Sequence, residues 1–498
     1  MAAIITEKFR QHNADQFFES FSEASKSTYY LFVGKATAFT SGTTGGSDSS
    51  PPTPSDGPTD TEFYAWDSMI AAKNISSSDI TYAIPRRNWV NGTVYDMYDD
   101  NISSSNTTTS GASNLYDSSF YFMTSDFRVY KVLDNNAGTA YSGAEPTSTS
   151  TSPFALGGYI LKYMYQVTSS EAAKFLTSDF IPVSNDSTVS AAATDGKIES
   201  LKITAGSGYT NGTYYAAVYG DGTSAGTSSG AIVRITVSGG AIQSFGLTAG
   251  SDTTIHAGGA AYTFGTVNLG AGYTFSDSGL SSASNMGGSG GAIEVIISPK
   301  NGHGNDAIGE LGGHYVMSAT TLTQAENDDI TTSNDFRQVG LVVDPTNYGT
   351  STVATASTRR QTFVVKAASS SGTFEVDEKI TQASTGAVGK VVEWDSTLSL
   401  LYFQQERFGD FGTNSTTGDH SVFTGANLIT GGTSSATLTP STDSETITLA
   451  NNNTLSTTSG YANPELQPDS GNIIYLENRK PIQRDSDQTE DIKLIIEF

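Results

Sequence analysis

The chain has 498 residues and no cysteine, and its 51 acidic against 26 basic side chains leave a formal charge of -25 at pH 7. Disulfides, thiolate chemistry and Cys-built zinc sites are thereby excluded. No Lys/Arg cluster is dense enough to neutralise a run of phosphates, so nucleic acid and anionic membrane are poor partners. Hydrophobic residues make up 36% and charged residues 15%, while glycine reaches 51 copies. Polarity therefore comes from small uncharged side chains, which marks a mainly β, turn-rich protein with room for roughly two to four domains. The apolar run before Glu7 is too short for a signal-peptide core and no stretch reaches membrane-spanning length, so a soluble chain is expected.

A helix is predicted from about Thr6, its cap, with Phe9, Ala14, Phe17, Phe18 and Phe21 near helical spacing and facing the core. Thr28–Val33 (TYYLFV) is apolar on both faces, as a strand buried between layers would be. Residues 40–60 turn into Ser, Gly, Thr and Pro and read as a long loop. Thr59 with Glu62 then fits a capping box, opening a second helix with Phe63, Trp66 and Ile70 on one face. After Ile84–Trp89 (IPRRNW), short strands are predicted at Phe127–Leu133, Tyr159–Val167 and Phe180–Val183, parted by Ser/Thr-rich loops at 103–113 and 147–152.

Two internal duplications follow. The run beginning Gly196-Lys-Ile-Glu-Ser-Leu aligns with Gly240-Ala-Ile-Gln-Ser-Phe at an offset of 44 residues. Gly208-Tyr209-Thr210 is echoed by Gly272-Tyr273-Thr274, and Gly230-Ala-Ile-Val-Arg-Ile by Gly291-Ala-Ile-Glu-Val-Ile. Each copy supplies alternating apolar residues bounded by glycine, predicting a pair of small β modules. Further on, the fourteen residues from Phe374 match those from Phe423 at an offset of 49, again as a β pair. The closing run places Ile492, Leu494, Ile496 and Phe498 on one face and Lys493 and Glu497 on the other, so the chain is expected to end inside a sheet.

Reactive constellations are scarce. His12, His256, His303, His314 and His420 are scattered, with no His-Glu-x-x-His pair, and read as turn or surface residues. Asn301–Asp306 (NGHGND) reads as a tight turn, although its histidine, amide and carboxylate together have the makings of an ion or substrate site. The Gly-rich runs near 220–230 and 287–291 have no following Gly-Lys-Ser/Thr, and Asp99-Asp100 and Asp328-Asp329 lack the alternating spacing of a calcium loop. No catalytic residue, metal or cofactor is expected. Arg86, Arg87 and Trp89, and Arg479 before Lys480, suit an interface because Arg and Trp are enriched at binding hot spots. An intrachain role, with guanidinium groups on nearby carboxylates and Trp89 in the core, fits them equally well.

The outer segments resemble the gene product eight family, the baseplate wedge subunits of T-even-type contractile-tailed phages. Carrying the resemblance are Gly471 through Tyr475, Glu477-Asn478-Arg479, Pro481-Ile482, Asp487–Glu490 and the strand ending at Phe498, together with Ile84–Trp89, where Asn88 replaces the family's acid. Lys8-Phe9-Arg10, Val129-Tyr130 before Leu133-Asp134, and Phe336-Arg337-Gln338 before Asp344-Pro345 match in the same order. The resemblance implies a layered β-sandwich core, a homodimer, a place among other baseplate wedge proteins of the virion tail assembled in the host cytoplasm, and no enzymatic activity. Residues 1–183 and 469–498 are then core, 299–349 a return to it, and 184–298 and 350–468 inserted duplicated β regions, an enlargement similar to forms in phages of marine cyanobacteria. Tyr475, Glu477, Asn478 and Arg479 join Arg86, Arg87 and Trp89 as interface or core-motif residues. A competing expectation is a host-recognition adhesin that stacks surface glycans on Tyr209, Tyr214, Tyr215, Tyr219 and Tyr273. A glycan-cleaving enzyme would need a carboxylate pair across a cleft, which sequence does not display.

Overall fold

The structure, a computed structural model, describes residues 5–39, 45–55, 60–222, 230–270, 279–323, 335–405, 420–449, 453–483 and 489–498. The Thr59 cap, the Gly272–Thr274 echo, the Asp328-Asp329 pair and Asp487-Gln488 lie outside them. The protein is mainly β with a few short helices, and it divides into two compact units. Met1–Gln16, Thr81–Met317 and Ile495–Phe498 make the first; Phe17–Ile80 and Ser318–Leu494 make the second.

In the first unit a four-stranded antiparallel sheet runs in the order Tyr121–Met123, Arg128–Asp134, Tyr159–Gln166, Phe154–Leu156. Tyr121–Met123, Arg128–Asp134 and Tyr159–Gln166 bury both faces, while the end strand Phe154–Leu156 is only partly covered. Tyr121, Met123, Val129 and Met164 pack toward Ile84, Ile181 and Val183, while Phe122, Tyr130, Leu161 and Tyr163 pack with Tyr95, Tyr141 and Tyr159 on the other side. A sheet covered on both faces is the middle of a layered sandwich, which explains why these strands read as continuous apolar runs without clean alternation. Ile80–Pro85 pairs with Phe180–Val183 in one covering sheet.

The strands of the 196–298 duplication do not form two modules side by side. Both copies enter one seven-stranded sheet containing Ser200–Tyr209, Gly212–Gly220, Ala231–Ser238 and Gly287–Ile296 around a single core of Leu201, Val218, Val233, Ile235, Ile293 and Val295. The copies also differ in form: 200–209 is a ten-residue strand, whereas its echo, 244–253, forms no strand and carries only the isolated bridges of Phe245 with Thr253 and Ala249 with Asp252. Tyr209 N donates to Gly240 O at 3.0 Å, so the two outer strands of this sheet meet and nearly close it.

In the second unit the Tyr29–Gly34 strand is buried along its whole length between Met69–Ile75 and Phe336–Val343, in a five-stranded sheet that ends on Asn472–Ile482. Gly340 is required there: a Cβ would lie 2.2 Å from Phe32 Cζ. The second duplication forms a closed barrel. Phe363–Ser371, Lys379–Gln382, Ala387–Asp395, Leu400–Gln404, Ile429–Gly431 and Thr437–Pro440 pair in a ring, because Phe363–Ser371 also pairs with Leu400–Gln404. Closure leaves no unpaired edge in the ring. Phe374, Ile380 and Ala387 all point into its core, and so do Phe423, Ile429 and Ala436, the same positions 49 residues on. Ile380 pairs with Gly431 and Thr381 with Thr430, so the two copies meet back to back across an internal pseudo-two-fold.

Several expected elements differ in extent. The first helix is Glu7–Glu19, but Phe9 is 54% exposed and only Ala14 in it is buried; Phe21, beyond its end, does the packing by stacking on Tyr29 at 4.1 Å. The second helix, Asp60–Ser68, stops before Ile70, which belongs to the strand Met69–Ile75. Phe127 has φ 65° and turns the chain into the next strand rather than starting it. Tyr209 and Tyr214 are buried in the core of their sheet, which removes two of the aromatic faces proposed for glycan stacking.

Candidate functional site

In the first unit, segments far apart in sequence meet around a polar pocket of about 440 Å³. The N-terminal helix supplies Glu7 and Arg10, and Arg10 Nη1 lies 2.9 Å from Glu497 Oε1 near the C-terminus. His314 sits between these carboxylates, its Nδ1 3.3 Å from Glu7 Oε2 and its Nε2 3.9 Å from Glu497 Oε1. Burial pushes the imidazole pKa below its ordinary value against the pull of Glu7, and Arg10 adds to the lowering. Phe498 N donates to His314 O at 3.1 Å, which fixes the chain end to this wall.

The opposite wall is Arg87, whose guanidinium stands 4.6 Å over the Tyr121 ring and donates from Nη2 to Tyr116 O at 3.0 Å. The short helix Ala307–Leu311 leads into the pocket and is ended by Gly312 in the left-handed region, φ 83°. A Cβ on Gly312 would lie 2.6 Å from Tyr116 Cδ1, so only glycine lets these two walls approach. Two guanidinium groups, a buried imidazole and the carboxylates of Glu7, Asp117 and Glu497 make a socket of mixed charge. Such a socket pairs with polar groups; its members pair with one another and not as a nucleophile with its base.

The Ile84–Trp89 segment is engaged inside the chain. Arg86 Nη1 donates to Thr177 O at 2.6 Å and its Nε to Asn88 Oδ1 at 2.9 Å. Trp89 N donates to Met123 O and Met123 N to Arg87 O, at 2.8 and 2.7 Å, which lays the segment beside Tyr121–Met123. The Trp89 ring stands edge-on to Tyr141 with centroids 5.9 Å apart, packed on the aromatic cluster.

Tyr475, Glu477, Asn478 and Arg479 belong to the second unit, on Asn472–Ile482. This strand pairs with Phe336–Val343 on one side and ends the order of its sheet on the other. Tyr475 OH donates to Glu477 Oε2 at 2.9 Å; burial, then that carboxylate, pushes the phenol up to about 12. Asn478 accepts from Gln338 Nε2 at 2.8 Å and donates to Pro52 O at 2.9 Å. Arg479 and Lys480 are exposed, as is Ile474 at 48%.

His303 is not a surface turn residue. It is 1% exposed, with Nδ1 3.0 Å from the Nζ of buried Lys131, which lies 2.8 Å from Glu310 Oε2. Neither Lys131 nor Glu310 stood out in the sequence, where each is one charge in an ordinary local pattern 179 residues from the other. Among the described residues, no three metal-ligating side chains gather into a candidate metal site.

Residues 3–152 and 442–498 match the family model described as Bacteriophage T4, Gp8. No curated protein matches the chain. The polar pocket draws on both matched segments, Glu7, Arg10, Arg87 and Tyr116 from the first and Glu497 from the second. The second duplication lies almost wholly within the unmatched stretch, 153–441, and the first wholly within it.

Proposed function

We propose that the chain is a Gp8-like structural component of a phage tail baseplate, acting there as a wedge subunit that self-associates and bridges neighbouring wedge proteins. The observation that carries this reading is the family match itself, whose two segments, far apart in sequence, come together in one fold around Arg10, Arg87 and Glu497. A subunit with this role works by geometry: a rigid core presents surfaces, and association as a homodimer doubles them.

Within this reading the motif residues divide. Arg86, Arg87 and Trp89 are framework residues, since Arg86 and Arg87 donate to backbone carbonyls of their own chain and the Trp89 ring packs on Tyr141, although Arg87 Nη1 and Trp89 Nε1 stay buried without a partner. The contact residues are those of Asn472–Ile482, with Tyr475, Glu477 and Arg479 along an end strand whose outer backbone groups suit pairing with a neighbour's strand. The duplicated regions are insertions into the family core, placed where the chain tolerates them, and the second ends by about 441 and not 468, because the family match resumes at 442. Assembly takes place in the host cytoplasm, before the baseplate joins a contractile tail.

Cross-linking and mass spectrometry on intact virions, with sedimentation of the purified chain, tests the proposal. Peptides from 472–482 are expected joined to other baseplate proteins or to a second copy, and Arg479→Glu is expected to lower assembly while leaving the fold intact. Cross-links from this strand confined to its own chain, and a purified chain that stays monomeric at all concentrations, would sink it.

A further inference from the structure

Lys131 is fully enclosed, with its side chain at 0% exposure and that of Glu310 at 3%. Its Nζ stands 2.8 Å from Glu310 Oε2, 3.0 Å from His303 Nδ1 and 3.9 Å from the centroid of the Tyr98 ring. Removing an ammonium and a carboxylate from water is costly, so a dry pair favours any path that removes both charges. Burial lowers the Lys131 pKa, and it lowers that of His303 further, with Lys131 and Lys162 adding to the effect. The imidazole at the amine is thus a neutral base.

The other carboxylate oxygen faces a different surrounding. Glu310 Oε1 accepts from Gly304 N at 2.7 Å and from Asp306 N at 3.3 Å, two backbone donors aimed at one oxygen. Gly304, at φ 88°, makes this turn possible, since a Cβ there would lie 2.5 Å from Val189 Cγ1. Asp306 caps the Ala307–Leu311 helix that carries Glu310. An amine, a base beside it, a carboxyl group and two donors on the carboxyl oxygen are the parts of an acyl-transfer site, here with both reactants supplied by the chain.

We propose that Lys131 and Glu310 become joined by an intrachain isopeptide bond that the protein forms on its own. Proton transfer within the pair leaves an amine and a carboxylic acid. The Nζ lone pair attacks Glu310 Cδ, the Cδ–Oε1 π electrons move onto Oε1, and the Gly304 and Asp306 N–H groups hold the oxyanion. His303 Nδ1 takes the Nζ proton and returns it to the departing Oε2 hydroxyl, which leaves as water while the C=O re-forms. One N–C bond is made, one C–O bond is broken and one water is released, with no oxidant or cofactor. Glu310 and Tyr98 also line the adjoining groove, which gives that water an exit. The bond closes residues 131–310 into a loop that holds the entire 200–296 sheet, so load on that region would reach a covalent clasp before it reached the core.

The inference does not depend on the assembly reading, and the full-length purified chain tests it. Tryptic digestion and tandem mass spectrometry are expected to give a branched peptide joining Lys131 to Glu310, lighter than its two linear parts by one water, with no cleavage after Lys131. Lys131→Arg is expected to lose the branched peptide, and His303→Gln to reduce its yield severalfold at matched time. Cleavage after Lys131, with both linear peptides recovered at full mass from the wild-type chain, overturns the proposal. An unchanged yield in His303→Gln overturns the assignment of the base.

Discussion

Replacing Arg87 by alanine removes a charge-assisted hydrogen bond to Tyr116 O at 3.0 Å and a guanidinium 4.6 Å above the buried Tyr121 ring. The bond contributes about 1.5–3 kcal/mol and the cation–π contact about 0.5–1 kcal/mol. Together they come to about 2–4 kcal/mol, concentrated where Arg87 and Trp89 exchange backbone hydrogen bonds with Met123. A chain of this size will not unfold in one step, so the readout should be local. Hydrogen exchange of peptides covering 87–89 and 121–123 is expected to speed up roughly 30- to 1,000-fold, the factor that 2–4 kcal/mol implies for local opening. Arg87→Lys keeps the charge without the planar fork and should fall between the two. Exchange within about twofold of wild type, with assembly lost instead, would refute the framework role and return Arg87 to the interface.

Phe374→Ala and Phe423→Ala occupy equivalent barrel positions and should each cost about 3–5 kcal/mol of barrel stability; a large effect from one and none from the other, by urea titration followed at Trp394, would contradict the pseudo-two-fold. Burial pushes Asp134 up to about 6, the Asn136 N–H partly opposing it. Its folded pKa is therefore raised, so its contribution is present below about pH 4 and lost as pH rises through 6. Asp134→Asn is accordingly expected to stabilise the first unit at pH 7 by on the order of 2 kcal/mol, allowing for its partial exposure, with the advantage gone near pH 4 in matched melts. Gly340→Ala drives a Cβ into Phe32 and should cost at least about 1–3 kcal/mol, seen as a lowered melting temperature of the second unit.

Local pattern made the Tyr29, Tyr159 and Phe180 strands legible, because a strand buried on both faces must be apolar throughout and its sequence says so. The Met69–Ile75 strand was hidden for the converse reason. It follows the helix without a break, and Ile70 suits either element until the neighbouring strands are in place. The motif segments could be recognised in order, yet nothing in them said that Ile84–Trp89 would be held internally while Tyr475–Arg479 stood at the end of a sheet.

The chain by itself determined its class, its exclusions and its duplications: the absence of cysteine, the balance of small polar residues and the repeat offsets are properties of the string. Tertiary structure decided what those repeats became. The same kind of duplication yields a closed pseudo-symmetric barrel where Phe374 and Phe423 share a core, and a single sheet with unequal copies where Leu201 and Val233 do. It also brought Lys131 to Glu310 and His303, a meeting that depends on long-range packing and leaves no periodic trace in sequence. Closure and burial are relations between distant residues, so they appear only once the chain has folded.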